Sequence, residues 1–164
     1  VLFSLFVIFI YIAFWFRRWQ YGLGAVVVMF HDVLVVLGLF SIFYNILPFS
    51  MEIDQAFIAA ILTVIGYSIN DTVVVFDRIR EYAAFHKKSS SIQVVDKALN
   101  STLSRTVNTS LSTFLVLLTI FMFGGESIKG FSFALMIGVL VGTYSSLFIA
   151  TPLVVDFSKK NIKG

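Results

Sequence analysis

The chain of 164 residues has no cysteine, only two prolines, two histidines and few charges. Without cysteine there is no disulfide and no thiolate metal site. With proline at only Pro48 and Pro152, long helices meet few obligatory breaks. Charged residues make up 13% of the chain, against about 25% in soluble domains. His31 and His86 stand too far apart for a zinc-type pair on one helix. Gly124-Gly125 is no phosphate loop, because Lys129-Gly130 has the Gly-Lys order reversed. No serine, histidine and acid combine in a pocket-forming context, so hydrolase chemistry has no carrier.

What is present is apolar. Hydrophobic residues are 59% of the chain, and the mean hydropathy is +0.95. That composition predicts an all-α integral membrane protein, a single transmembrane domain over 1–164 with little room for a soluble one. Five apolar segments can be drawn, at about 1–16, 22–44, 56–77, 106–123 and 130–155. The second and third would be about 33–34 Å long as helices, enough for a hydrocarbon core of ~30 Å. The first is shorter and begins apolar, without the basic start of a secretory signal.

Charge placement orients the spans. Arg17 and Arg18 follow the first; Arg78, Arg80, Lys87, Lys88, Lys97 and Arg105 lie in or bound the connection 78–105; Lys159, Lys160 and Lys163 follow the fifth. Alternating sides put these 11 of the 12 basic residues on one face, predicted to be cytoplasmic, with the C-terminus. A pI near 9.3 therefore reflects membrane orientation and not a nucleic-acid partner. Five spans would start Val1 on the outer side, so a further span and an extracytoplasmic segment are expected to precede it. Within 78–105, Ser90 and Gln93 form a capping-box pattern. Ile92, Val95, Leu99 and Leu103 follow at helical spacing. Two readings fit: a helix on the membrane surface before the fourth span, or a short solvated connector packed on its neighbours.

Three ionisable groups fall inside the spans. Asp71 lies about 9 Å in from the cytoplasmic boundary and Asp32 about 15 Å. Arg105 lies at similar depth if its helix enters near Leu99. An Asp at mid-span costs about 2.5–3.5 kcal/mol on insertion scales, so such a residue usually faces a bundle interior and carries function. Arg105, Asn108, Thr109, Ser112 and Thr113 make a polar stripe on the fourth span. Ala59, Thr63, Gly66 and Asn70 make a small and polar track on the third. An arginine keeps its charge at physiological pH. Its approach or withdrawal would release or bind a proton on Asp71, and a proton crossing 100 mV is worth about 2.3 kcal/mol. A static interhelical ion pair is the competing reading. His31 next to Asp32 reads first as a satisfied contact between helices and second as relay support. On the fifth span Gly130, Ala134, Gly138, Gly142, Ser146 and Ala150 form a small-residue ridge. That ridge predicts close packing, within the bundle or against a partner.

Several stretches resemble one family. Gly66-Tyr67-Ser68-Ile69-Asn70-Asp71-Thr72-Val73-Val74-Val75-Phe76-Asp77-Arg78-Ile79-Arg80-Glu81 is similar to the signature of SecF. His31-Asp32-Val33, Ser104-Arg105-Thr106, Gly124-Gly125-Glu126-Ser127-Ile128-Lys129-Gly130-Phe131, Gly138-Val139 and Gly142-Thr143-Tyr144-Ser145-Ser146 resemble the same family, in its order. The resemblance implies a five-span part of the SecF half of a resistance-nodulation-division (RND) type bundle, facing a SecD-like half. It implies a bacterial inner-membrane subunit that uses protons to assist export of preproteins through the Sec translocon. It further implies that Asp71 and Arg105 match the family's proton-pathway carboxylate and its arginine. From the residues themselves, Asn70, His31, Asp32 and Thr109 are candidate relay support, and Gly66, Gly138 and Gly142 are packing positions. No cofactor or metal is implied, only protons as coupling ion. A proton-coupled small-molecule or lipid exporter of that superfamily, or a scaffold without transport, are the other readings.

Overall fold

Helices are the only structure that lets apolar runs of this length satisfy their backbone groups in lipid without a closed barrel. The computed structural model describes residues 2–86 and 90–157. Its elements are α1 (Leu2–Trp15), α2 (Trp19–Phe43), α3 (Gln55–Phe85), α4 (Ser91–Phe123), α5 (Glu126–Ser145), a π-helical turn (Ser146–Ala150) and α6 (Thr151–Phe157). The last three run on as one helix, so five helical segments are present. Among the described residues, four are long and apolar enough to cross a membrane: Trp19–Phe43, Gln55–Phe85, Ile92–Phe123 and Glu126–Phe157. Lys87, Lys88, Lys159, Lys160 and Lys163 lie outside the described residues.

Local chemistry sets the boundaries. Arg17 closes α1 in the left-handed region at φ 54°, the Arg17 amide donating to Phe14 O and the Arg18 amide to Ala13 O. These are the two bonds of a Schellman motif. Asp54 caps α3 by accepting from the Phe57 amide at 2.8 Å. Ser90 and Gln93 form the predicted capping box, with both reciprocal bonds at 3.3 Å. Gly124 ends α4 in a turn where a β-carbon would collide with Ile120 O. Pro152 follows the π turn; its ring cannot sit against the carbonyl four residues back in a regular helix, and a widened turn relieves that conflict.

The connection 78–105 keeps the packing of the second reading, but not as a short separate helix. Helix α3 continues past Asp77 to Phe85, and α4 runs unbroken from Ser91. Its first turns do not lie apart on a surface. Val94, Val95 and Ala98 are buried, with α4 packed on α3 and α6, in a core that also holds Phe16, Tyr21, Phe76, Ile79 and Val154. Ile92 is left exposed. This first core sits at the basic end of the bundle. A second core, with Val36, Phe40, Phe57, Val64, Ala134 and Leu135, fills the other end. Between them every long helix turns polar: Asp32 on α2, Ser68 and Thr72 on α3, Thr106 and Ser110 on α4, Ser145 and Ser146 at the end of α5.

The ridge on α5 packs inside the chain. A β-carbon on Gly138 would overlap the Val64 side chain, and one on Gly142 would touch Ser68. Helices α3 and α5 therefore meet at backbone distance beside the polar layer. Gly66 is different: it is exposed, with nothing within 4 Å of where a β-carbon would be. Its predicted packing role is not present in this chain, because the α3 face that meets α5 is the Val64, Ser68 and Thr72 face.

Candidate functional site

The polar layer holds two carboxylates in different circumstances. Asp32 is completely buried. Its Oδ2 accepts from Ser68 Oγ at 2.5 Å and Ser145 Oγ at 2.9 Å, and its Oδ1 lies 3.0 Å from His31 Nδ1. One acid thus ties α2 to α3 and α5. A buried carboxylate survives away from water only when its lone pairs are met this way. The contact expected of His31 and Asp32 is present, and two serines complete it.

Asp71 is half-buried, three residues beyond Ser68 on α3. Its Oδ2 is buried without a hydrogen bond, as is Thr106 Oγ1 on α4. Ser146, Thr106 and Arg105 lie near this carboxyl, and none of them bonds its buried oxygen. The predicted pair with Arg105 is not closed. No ion pair within 4.0 Å joins them, whereas His31–Asp32, Arg78–Glu81 and Lys129–Glu126 are closed. Arg105 is exposed, as are Asn70, Asn108, Thr109 and Ser112. Of the predicted stripe on α4 only Thr113 is partly covered. The Thr109, Ser112 and Thr113 hydroxyls each donate to the carbonyl four residues earlier.

Between the carboxylates stands the adjacent pair Ser145-Ser146. Ser145 donates to Asp32, while Ser146 Oγ lies 2.8 Å from Thr72 Oγ1 and faces Asp71. Both serines also reach the Gly142 carbonyl. A third cluster joins Tyr67, whose hydroxyl donates to Ser110 at 3.1 Å, to Thr143, 2.5 Å from Ser110. Sequence reasoning missed Thr72, Thr106, Ser110, Ser145 and Ser146 as site residues. The signal was there: Thr102, Thr106 and Ser110 recur every four residues, about a quarter-turn round α4 from the exposed stripe. Such hydroxyls weigh little in a hydropathy sum.

This arrangement is a set of buried hydroxyls around two acids, with a cation nearby but not bound. A family model described as "Protein export membrane protein SecD/SecF, C-terminal" matches residues 1–160. The chain belongs to the SecD/SecF family. It is 56% identical over 156 residues to the SecF translocase subunit of Rhodothermus marinus, covering 95% of this chain and 50% of that one. It is 47% identical over 161 residues to the SecDF subunit of Brucella abortus, covering 98% of this chain and 20% of that one. A crystal structure of SecDF in a super-membrane-facing form superposes with TM-score 0.89 at 40% identity, covering 97% of this chain and 21% of that one. The chain spans about half the length of that SecF relative and a fifth of the SecDF chains. It corresponds to the SecF part of the family, and its integral-membrane, all-helical character follows from the same matches and from its four long apolar helices.

Proposed function

We propose that this chain is the membrane part of a subunit that assists Sec-dependent protein export by using the proton gradient across the bacterial inner membrane. The observation that carries the reading is Asp71. One of its oxygens is buried and unbonded between α3, α4 and the π turn, with the exposed Arg105 close enough to influence it and no ion pair closed between them. An acid so placed exchanges a proton when its neighbours move, whereas a structural ion pair would already be closed. Protons are the coupling ion, and no cofactor enters. Relatives named SecDF support a SecD-like half as partner, and the exposed polar side of α4 is where it would sit. The Sec channel and the exported preprotein complete the assembly, the basic end and the C-terminus facing the cytoplasm.

The test uses the full subunit with its SecD-like half in membrane vesicles carrying the translocon. Asp71→Asn and Arg105→Ala are expected to abolish the gradient-dependent part of preprotein export while the complex still copurifies. A scaffold without transport would retain it in both variants. A small-molecule exporter would show gradient-driven efflux with export unaffected.

A further inference from the structure

The proton-coupling reading above gives Asp71 a task but leaves Asp32 as a clamp. The geometry points to more: we propose that Asp32 is a second proton-carrying carboxylate, loaded through His31 and coupled to Asp71 by the adjacent hydroxyls of Ser145 and Ser146. This proposal rests on that reading and extends it.

Three observations carry it. First, Asp32 is fully buried, yet its one ring neighbour is not: the His31 side chain is 35% exposed. His31 Nδ1 lies 3.0 Å from Asp32 Oδ1, so a proton arriving on the imidazole from outside the bundle is already within transfer distance. Transfer takes the Nδ1 proton to Oδ1 and turns an imidazolium and a carboxylate into a neutral imidazole and a neutral acid, leaving total charge unchanged. Second, the elements packed on Asp32 carry their other charges elsewhere along their length: Asp71, Asp77, Arg78, Arg80 and Glu81 on α3, Glu126 and Lys129 on α5. Helix α1 has no charged residue, α2 has none besides His31 and Asp32, and none occurs between Lys129 and Asp156. Tyr11 and Tyr144 on α1 and α5 are exposed, and the Tyr67 hydroxyl on α3 is bound to Ser110 on α4. The polar layer's other carboxylate is Asp71, one turn beyond Ser68 on α3, with Arg105 of α4 near it.

Third, the two acids are met by neighbouring residues at one π-helical junction. Ser145 is the last residue of α5 and Ser146 the first of the π turn. A π turn inserts a residue into the helical ladder and is frequent at functional sites. Any rearrangement there moves the donor of Asp32 and the hydroxyl facing Asp71 together. Neutralising Asp32 weakens its hold on Ser68 and Ser145, and α5 is then freer to shift against α3. Gly142, whose carbonyl both serines contact, sits at the α3 crossing where that shift would occur.

The test compares Asp32→Asn and His31→Gln in the full complex with its SecD-like half, alongside Asp71→Asn. Asparagine keeps the shape and the serine bonds of Asp32 but cannot carry a proton. Asp32→Asn is expected to lower gradient-dependent export at least tenfold with assembly intact. His31→Gln, at a partly exposed position, is expected to assemble normally and to shift the pH profile of export across the range where imidazole titrates, about pH 5 to 8. If Asp32→Asn assembles and keeps the wild-type response to the gradient, or if His31→Gln leaves the pH profile unmoved, Asp32 is a clamp and the proposal falls. If Asp71→Asn also leaves gradient dependence intact, the underlying coupling reading has failed as well; loss in Asp71→Asn alone confines the failure to Asp32.

Discussion

A carboxylate with no exposed surface needs a donor for each oxygen it turns inward, and Asp32 has them from three directions. Removing one leaves that need partly unmet. Ser145→Ala is expected to destabilise the bundle by about 1–3 kcal/mol, visible as a lower unfolding temperature in detergent; an unchanged midpoint would contradict the contact. Gly138 makes a second test. Gly138→Ala drives a methyl into Val64, an overpacking cost of about 1–3 kcal/mol, and Val64→Ala in the same chain should recover much of it. Gly138 was legible in the sequence because a small residue recurring every four positions has one common use in a helix. The difference between Asp32 and Asp71 was not. Both are acids in apolar runs, and only the neighbouring helices decide which finds hydroxyls and which keeps an unbonded oxygen. That Asp71 and Arg105 do not form a closed ion pair was hidden for a related reason, since equal depth says nothing about which way a helix is turned.

Among the elements, the caps follow sequence closely. Ser90-x-x-Gln93 read as a helix start and is one, so Ser90→Ala should cost about 0.5–2 kcal/mol and raise amide exchange in the first turn of α4 without touching α2. Arg17 carries no such signal. It holds a left-handed conformation that glycine adopts more easily, and Arg17→Gly is expected to stabilise the α1–α2 turn by about 1 kcal/mol, read from the same unfolding transition. The unbroken α4 was hidden by a boundary placed at Arg105 on charge alone. A helix passes through a charged residue without interruption, and only a break in backbone bonding ends it. The π turn was equally hidden, because Pro152 signals a conflict in the ladder but not where the extra residue goes.

Across the whole molecule the covering is uneven. About 50% of the most apolar window of the Glu126–Phe157 helix is buried within the chain, against 11% for α4, which makes the former central and leaves α4 open. That open side carries Arg105, Asn108, Thr109 and Ser112, polar groups poorly suited to lipid. A SecD-like half is the partner that would cover them. Because the chain has no native cysteine, Asn108→Cys paired with single cysteines in that half should cross-link in the full complex, whereas Phe14→Cys on the apolar outside of α1 should not. Cross-linking from Phe14→Cys alone would place the partner on the wrong side. The account depends above all on Asp71 gaining and losing a proton as the gradient is applied. Infrared difference spectra of the full complex in vesicles, with and without that gradient, measure this directly. The account predicts a protonated-carboxyl band that rises with the gradient and is absent in Asp71→Asn. A gradient-dependent carboxyl band that persists unchanged in that variant, or no such band in the wild type, would contradict it.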